Sequence, residues 1–436
     1  MQVNSISLEG SSGLKQTTAF ALFLGMSLLF LASNHAAYDG YFQDDELGAL
    51  GWAPIVPAAD FGRALLSPFF QPNNFRPAAH FYFHVMGRYF ALDFPKYVIP
   101  IQAVHLINIW LVWLLTRRFG ATAFAASAGS LFFGFHMASF DIYWKPMYVF
   151  DLLCGTFCLL SLLFYTQRRI VLSFIAFWLA YKSKELAVML PAVLALYEFW
   201  FGKRRWLELI PFFLVSLSFG LQGMFLNPNV DNAYTFRFTL RALESTSRFY
   251  SSNILLFHHA GFVVVPLGLW LGKPIVRFGI IVMLLFMVPL LFLPGRLFAA
   301  YCYVPLIGLT LAVTGLVPRE RKVAALLFLL FWVGWNFNRL NKEQTRALTI
   351  AEENRAYVSG LADFVRSSSE TRSFIYDGAP SAFHPWGILG ALQYLHHGNE
   401  IQVTSIGDAT PAENAGSVGI LRWNQTARTL NIEVRH

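Results

Sequence analysis

Long apolar segments recur through most of this sequence and constrain its fold more than any other feature. A helix needs about 20 apolar residues to cross a bilayer, and segments of nearly this length or longer recur up to residue 339. Only 13% of the 436 residues are charged, which is about half the usual fraction in a soluble domain. We therefore predict an all-α polytopic membrane protein with about 11 transmembrane helices, at residues 17–37, 98–116, 121–137, 147–166, 170–182, 185–201, 207–225, 249–271, 278–294, 299–317 and 323–339.

The first apolar segment has two interpretations. Lys15 precedes it and small residues follow it, as in a cleaved signal peptide. We favour an uncleaved membrane span, because cleavage near Ala37 would separate the acidic loop that follows from its anchor.

Lysine and arginine residues occupy every second loop between the predicted spans. Cytoplasmic loops carry such an excess of positive charge, so the alternation predicts a cytoplasmic N-terminus and, after eleven spans, an outer C-terminus. The same count places residues 38–97, 138–147, 182–185, 226–248 and 294–296 on the outer face. The residues of the basic loops are Arg117, Arg118, Arg168, Arg169, Lys203, Arg204, Arg205, Lys273, Arg277, Arg319, Arg321 and Lys322.

The chain changes character after the last predicted span. Residues 340–436 are mixed and polar, and they predict helices at 350–367 and 385–397 and strands at 373–377, 401–406, 416–423 and 429–435. We therefore predict two parts: a transmembrane part at 1–339 and a small extracytoplasmic α/β domain at 340–436. The C-terminal part contains no glycine-rich phosphate loop and no nucleophile elbow.

Composition also excludes several classes of function. The net charge of +8 comes from the basic loops, and no basic patch with interleaved aromatic residues predicts binding to nucleic acid. The three cysteines, Cys154, Cys158 and Cys302, all lie in apolar segments without the spacing of zinc ligands. We expect no cofactor.

The predicted outer loop at 38–97 carries the first candidate site residues. Asp44 and Asp45 are adjacent, and two neighbouring carboxylates need cations or a shared proton. Arg76 and His80 follow in the same loop, where we expect them, with Trp144 and Lys145 of a later turn, to shape the substrate site. The alternative interpretation is a solvated acidic loop without a function.

Other predicted outer turns supply cations. Lys182, Lys184 and Glu185 form a turn between two spans, where a lysine would bind a phosphate and the glutamate would orient it. Arg296, with Tyr301 and Tyr303 nearby, is a second phosphate candidate. The alternative is that these charges anchor the helix ends at the membrane interface.

Trp144 and Lys145 lie in a third outer turn. The tryptophan belongs either to the aromatic belt at the interface or to a surface that stacks on a sugar ring. His105 and Asn108 share one face of the second span, and we expect them to form hydrogen bonds between packed helices.

The set of outer residues suits transfer of a group from a lipid phosphate. A carboxylate would deprotonate an acceptor hydroxyl as general base. The cations would stabilise the departing phosphate as its negative charge grows. The donor stores the required energy in its phosphate linkage, so no nucleotide site is needed.

The chain resembles a known family at these residues. The segments FQDDE, NNFRP, HLIN, YKSKELAVMLP and GRLFAAYCYVPLIGL, in this order within residues 40–315, are similar to segments of the GT-C fold membrane glycosyltransferases. The strongest similarity is to the O-mannosyltransferases that use polyprenyl- or dolichyl-phosphate sugars, and to their bacterial relatives. The tetratricopeptide repeats of those enzymes are missing here.

The resemblance implies a function and roles for particular residues. It implies an inverting, metal-independent transfer of a mannose-like sugar on the outer face of a bacterial cytoplasmic membrane. It assigns the catalytic base to Asp44 or Asp45, with a slight preference for Asp45, and site shaping to Arg76. It implies contact with the lipid phosphate for Lys184, Glu185, Arg296 and Tyr303. The expected partners are a polyprenyl-phosphate-linked sugar, an acceptor protein, glycan or lipid, and the membrane.

Two other classes of function remain open from the sequence. A transporter or flippase of a lipid-linked or anionic solute would use the same charges to line a pathway. A scaffold that presents the C-terminal domain to a partner would leave the charged turn at 182–185 unexplained. Charges gathered at one membrane face favour the enzyme, because a pathway needs polar groups at mid-membrane depth.

Overall fold

The structure is a computed structural model that describes residues 13–70, 75–225, 231–317, 322–407 and 417–435. Its described part is mostly helical and ends in a four-stranded sheet. The helices are α1 Gly13–Ser33, α2 Asp44–Trp52, α3 Ala58–Leu66, α4 Pro77–Phe90, α5 Phe94–Arg118, α6 Ala123–Gly134, α7 Phe140–Trp144, α8 Val149–Thr166, α9 Ile170–Ser183, α10 Leu190–Trp200, α11 Ile210–Phe225, α12 Leu240–Ile254, α13 Ala260–Leu271, α14 Pro274–Leu291, α15 Tyr303–Leu316, α16 Lys322–Ser367 and α17 Pro385–Leu395. The strands are β1 Ser373–Asp377, β2 Gln402–Ser405, β3 Val418–Asn424 and β4 Thr429–Arg435.

The predicted fold class is confirmed: the chain is a polytopic helical membrane protein with a small α/β part at its C-terminus. Among the described residues, five helical segments are long and apolar enough to span a membrane, and a sixth follows if the bent pair Ala123–Gly134 and Met137–Trp144 counts as one. Each of the eleven predicted segments contains helix, but several helices are short. The five segments that could span a membrane are Phe94–Arg118, Pro146–Thr166, Trp206–Phe225, Pro274–Leu291 and Ala299–Leu316.

Two predicted helices have different limits in the structure. The span predicted at 249–271 is broken between α12 and α13, where the Ser251 hydroxyl donates to the carbonyl of Phe257 at 2.8 Å and accepts from the N–H of Gly261 at 2.9 Å. These two bonds satisfy backbone groups that the break would otherwise leave unpaired. The helix predicted at 350–367 is the end of α16, which continues without a break from the predicted last span.

The basic turns lie at one end of the helices and the acidic loop lies at the other. Arg118 donates to the carbonyl of Thr166 at 2.8 Å, and Arg168 pairs with Glu198 at 3.0 Å. Asp151 and Lys184 lie at the ends of α8 and α9 that are far from these arginines. The positive-inside rule assigns the basic end to the cytoplasm, and this sidedness stays a prediction. Arg319 and Arg321 lie outside the described residues.

The C-terminal sheet has the strand order β2-β1-β3-β4. Strand β1 pairs in parallel with β2, from Ser373 opposite Gln402, and with β3, from Ser373 opposite Val418. Strand β4 closes the sheet as an antiparallel partner of β3. Parallel strands need a connection that crosses over the sheet, and α17 lies in the connection between β1 and β2.

Helix α17 packs closely on α2, the short helix near the start of the 38–97 loop, and glycines allow this approach. A Cβ atom on Gly390 would lie 2.4 Å from the carbonyl oxygen of Leu47, and one on Gly51 would lie 3.0 Å from the Gly390 oxygen. The Tyr394 hydroxyl adds a bond to the carbonyl of Gly87 at 3.0 Å. The C-terminal part is therefore docked on the loop that carries Asp44 and Asp45.

Replacing Gly390 by Ala is expected to loosen this docking. The new methyl group would meet backbone atoms that cannot rotate away, and such overpacking costs about 1–3 kcal/mol. The apparent melting temperature in detergent should fall, and a protease should cut the C-terminal part more readily. Gly48→Ala is the matched control, because a Cβ atom on this α2 glycine would meet no atom within 4 Å. Equal behaviour of the two variants would contradict the tight packing.

Candidate active site

Asp44 and Asp45 begin α2, but their environments differ. Asp44 is buried, and its two carboxylate oxygens accept bonds from His384, one from the backbone N–H at 2.8 Å and one from Nδ1 at 2.7 Å. Burial raises the pKa of Asp44, and the bonds from His384 lower it. Asp45 is exposed. Its one hydrogen bond among the described residues comes from the Trp386 indole N–H, whose nitrogen lies 3.2 Å from Oδ1. Asp45 is therefore the carboxylate of the pair that remains open to a substrate.

Glu46 is a third carboxylate of this helix and has a structural role. Its side chain is buried, with one oxygen 2.8 Å from the backbone nitrogen of Gln43 and the other 3.2 Å from that of Met147. Burial raises the pKa of Glu46 to about 7, and the two backbone bonds lower it by less. Glu46 thereby joins α2 to the turn that contains Lys145, which pairs with Asp141 at 2.9 Å.

Arg76 and Glu185 connect two predicted outer segments. The Arg76 Nε atom lies 2.7 Å from a Glu185 oxygen, and the guanidinium lies over the ring of Phe150 at 5.3 Å. Both side chains are about four-fifths buried. The two residues were predicted as separate contributors to the site, and the structure brings them together.

A double-mutant cycle should show strong coupling between Arg76 and Glu185. Removal of one partner from a buried ion pair leaves an uncompensated charge, which costs about 3–5 kcal/mol. Arg76→Ala and Glu185→Ala should each lower the apparent melting temperature markedly, and the double variant should be less destabilised than the sum. Arg63→Ala, at an exposed pair with Asp60, is the control with little expected effect. Additive losses would contradict the pairing.

Lys184 and Arg296 meet at Tyr301. Lys184 forms an ion pair with Asp151, and its ammonium lies 3.9 Å from the centroid of the Tyr301 ring. The Arg296 guanidinium lies 3.4 Å from the Tyr301 hydroxyl and over the ring of Tyr234 at 4.5 Å. Two cations therefore flank one tyrosine in the loop ahead of α15.

Arg296 retains unused hydrogen-bonding capacity. Its Nε atom is buried and has no hydrogen-bond partner among the described residues. No carboxylate of the described residues lies within salt-bridge distance of the Arg296 guanidinium. Burial lowers the pKa of Arg296, but Tyr301, Tyr234 and the carboxylate of Asp45 raise it by more. A guanidinium with a free N–H group is suited to bind a phosphate.

Two predicted site residues lie away from these charges. Tyr303 was predicted at the lipid phosphate, but it is fully buried, and its hydroxyl bonds to Asn108 and His105, both at 2.9 Å. The expected interhelical bonding of His105 and Asn108 is confirmed by these contacts. Trp144 was predicted to shape the substrate site, but it is buried and donates to the side chain of Asn34 at 2.9 Å. Of Tyr301 and Tyr303, Tyr301 is the one whose hydroxyl lies close to the Arg296 guanidinium.

Lys182 and His80 also have other contacts than predicted. Lys182 was predicted to bind the phosphate, but its ammonium donates to the carbonyl of Phe69 at 3.0 Å among the rings of Phe70, Trp178 and Tyr181. His80 accepts the backbone N–H of Arg76 at 3.0 Å through Nδ1. Burial and the Arg76 charge lower the pKa of His80 to about 3, so it is a neutral acceptor that fixes the start of α4.

Four further residues of this region were not predicted as site residues. They are Glu46, Asp151, His384 and Trp386. Asp151 had a recognisable signal, because a carboxylate inside an apolar segment needs a partner. His384 and Trp386 had none, because more than 300 residues separate them from Asp44 and Asp45 in the sequence.

Neither a protein-family model nor a curated protein matches this sequence. Two solved structures are similar. ArnT from Cupriavidus metallidurans bound to undecaprenyl phosphate has 13% identity and a TM-score of 0.49, over 94% of each chain. The arabinofuranosyltransferase AftD from Mycobacteria has 12% identity and a TM-score of 0.48, over 89% of this chain and 32% of its own. This chain thus spans about a third of AftD.

Proposed function

We propose that this protein is a membrane glycosyltransferase that moves a sugar from a polyprenyl-phosphate donor to an acceptor hydroxyl. The observation that carries the proposal is that, among the described residues, neither the exposed Asp45 carboxylate nor the Arg296 guanidinium has an opposite charge within salt-bridge distance. A base and a phosphate-binding cation are the two groups that this transfer requires. The family resemblance of the sequence motifs adds the donor class.

The base in the proposed reaction is Asp45. Its carboxylate takes the proton of the acceptor hydroxyl as the oxygen attacks the anomeric carbon. The new carbon–oxygen bond forms while the bond from that carbon to the phosphate oxygen breaks, and the polyprenyl phosphate departs with the electron pair. Attack from the side opposite the phosphate inverts the anomeric configuration. Asp44 is less suited to this role, because both of its oxygens are bonded to His384.

Arg296 is the proposed ligand of the donor phosphate, with Lys184 as a second cation. Arg296 offers a free N–H group, whereas Lys184 already pairs with Asp151, which leaves it as a weaker electrostatic contributor. Arg76 has its charge matched by Glu185, so we assign this pair to the shape of the site. Lys145 is similarly matched by Asp141 at the turn that Glu46 holds.

An apolar cavity next to the backbone of Arg296 is suited to the lipid part of the donor. It has a volume of about 140 Å³ and lies between α12, α13 and α14. Tyr250 lines it, and the hydroxyl of this tyrosine bonds to the carbonyl of Arg296 at 3.3 Å. A phosphate held by Arg296 would therefore have its first prenyl units near an apolar surface that faces the membrane helices.

The finer assignments are those of the sequence resemblance. We propose a mannose-like donor sugar, and an acceptor that is a protein, a glycan or a lipid. The active site faces the outside of a bacterial inner membrane, with the N-terminus in the cytoplasm and the C-terminus outside. The docking of α17 on α2 supports a common side for the C-terminal part and the Asp45 loop.

The test is transfer by the purified protein in nanodiscs. Polyprenyl-phosphate mannose and other polyprenyl-phosphate hexoses serve as donors, and saccharides, hydroxylated peptides and lipids serve as acceptors. The wild type should transfer sugar and the Asp44→Asn/Asp45→Asn double variant should not. Retained transfer in the double variant would remove the base assignment. Accumulation of solute in sealed vesicles without sugar transfer would instead support the transporter.

A further inference from the structure

Trp386 and His384 form an exposed aromatic surface beside Asp45. Their rings are stacked, with centroids 4.5 Å apart and an interplanar angle of 24°. Trp386 is 50% exposed, and the side chain of His384 is 53% exposed. Two stacked rings that stay half exposed beside a candidate catalytic carboxylate offer a ligand an aromatic surface.

The surface is held rigidly. His384 is fixed to Asp44 by two hydrogen bonds, and it precedes the first residue of α17, which the glycine contacts hold against α2. The indole N–H of Trp386 is bonded to Asp45 at 3.2 Å. A ring that is positioned before a ligand arrives loses little conformational entropy when the ligand binds.

We propose that Trp386, supported by His384, binds a sugar ring of the acceptor, so that the acceptor is a saccharide. This inference rests on the proposed function. An acceptor hydroxyl that loses its proton to Asp45 brings the rest of its molecule within reach of the Trp386 ring, because the indole is bonded to that same carboxylate. A pyranose presents a flat face of C–H groups, which packs on the face of an indole, and it has hydroxyl groups at its rim for the polar edge of the site.

A saccharide fits this surface better than the other acceptor classes. The stacking residue that the sequence suggested at Trp144 is buried, and Trp386 supplies such a ring at the carboxylate. A lipid tail would need an apolar groove, and the one described above lies on the side of Arg296. An extended peptide would need free backbone groups to pair with, whereas the surface at Asp45 consists of two side-chain rings.

Binding of saccharides without the donor tests this inference separately from catalysis. Saturation-transfer NMR on the protein in nanodiscs would use methyl glycosides and disaccharides of mannose, glucose, galactose and arabinose. At least one of them should show transfer to its ring C–H protons. Trp386→Ala should weaken its binding about tenfold, which is about 1.4 kcal/mol. Trp206→Ala is the matched control, because Trp206 is also about half exposed (46%) and begins a predicted membrane span on the basic side.

Trp386→Phe separates stacking from the bond to Asp45. Phenylalanine keeps a ring but loses the N–H group, so it should retain most of the saccharide binding. A loss equal to that of Trp386→Ala would overturn the stacking role, and it would point to the contact with Asp45. Melting curves of both variants check that α17 remains docked.

Two further outcomes would overturn the proposal. One is the absence of any saccharide whose binding depends on Trp386, or dependence on Trp386 for a hydroxylated peptide instead. The other is displacement of the glycoside by free polyprenyl phosphate, which would place the sugar in the donor site. Asp45→Asn should still bind the saccharide. If the wild type binds a saccharide through Trp386 but transfers no sugar from any donor, the proposed function is wrong and the saccharide site is not.

Discussion

Replacing Asp45 by Asn is expected to lower the rate of sugar transfer by about 10²–10⁴-fold, the usual contribution of a general base. Asparagine has nearly the same shape and can still accept the bond from the Trp386 indole, but it cannot take a proton from the acceptor. The protein should therefore keep its melting temperature and its affinity for the donor. The measurement is kcat for transfer of a labelled hexose from polyprenyl phosphate by the purified variant in nanodiscs.

Asp44→Asn is the matched variant on the neighbouring residue, and it should act through stability. An amide replaces one of the two oxygens that accept from His384, so the docking of α17 should weaken and the melting temperature should fall. Folded Asp44→Asn protein should keep more transfer activity than Asp45→Asn. The opposite order of residual activities would assign the base to Asp44, and equal, unchanged activities would exclude both carboxylates.

Replacing Arg296 by Ala is expected to lower transfer by about 10²–10³-fold, the loss typical of one group that stabilises developing negative charge. The guanidinium has an unpaired N–H and, among the described residues, no carboxylate within salt-bridge distance, so its removal leaves no partner carboxylate unpaired. The effect should appear mainly in kcat, because the charge on the phosphate oxygen grows as its bond to the sugar breaks. Initial rates across a range of donor concentrations separate kcat from KM.

Arg296→Lys and Arg237→Ala are the controls for this variant. Lysine keeps the positive charge but cannot form two parallel bonds to a phosphate, so it should restore only part of the rate. Arg237 is an exposed arginine in the same region of the fold, paired with Asp231 at 2.7 Å, and its removal should leave transfer almost unchanged. A loss in Arg237→Ala as large as that in Arg296→Ala would indicate a general effect of surface charge.

The sequence predicted the class of fold because each membrane span must be apolar along its own length, whatever the rest of the chain contains. A bilayer demands an unbroken apolar run, and each such run is visible without knowledge of its neighbours. The limits of single helices were less certain, as the break between α12 and α13 shows. Two hydrogen bonds of the Ser251 hydroxyl stabilise this break, and the apolar pattern of residues 249–271 does not predict them.

The candidate site was predictable as a set of residues but not as a set of partners. Charged residues at the ends of apolar segments stand out, which identified Asp44, Asp45, Lys184, Glu185 and Arg296. Which of them are matched by an opposite charge depends on contacts between distant parts of the chain. Arg76 meets Glu185 across 109 positions, and Lys184 meets Asp151 across 33. Only these contacts leave Asp45 and Arg296 as the groups with unused capacity.

The sequence by itself determined that this chain crosses a membrane, and it gathered the candidate acids and bases into alternate loops. Hydrophobicity and loop charge are properties of each segment, so no folded structure was needed to read them. The tertiary structure decided that Asp44 is hydrogen-bonded to His384, that Trp144 and Tyr303 are buried, and that Trp386 lies beside Asp45. The environments of Asp44 and Asp45 follow from the close packing of α17 on α2, which glycines permit and which brings together residues more than 300 positions apart.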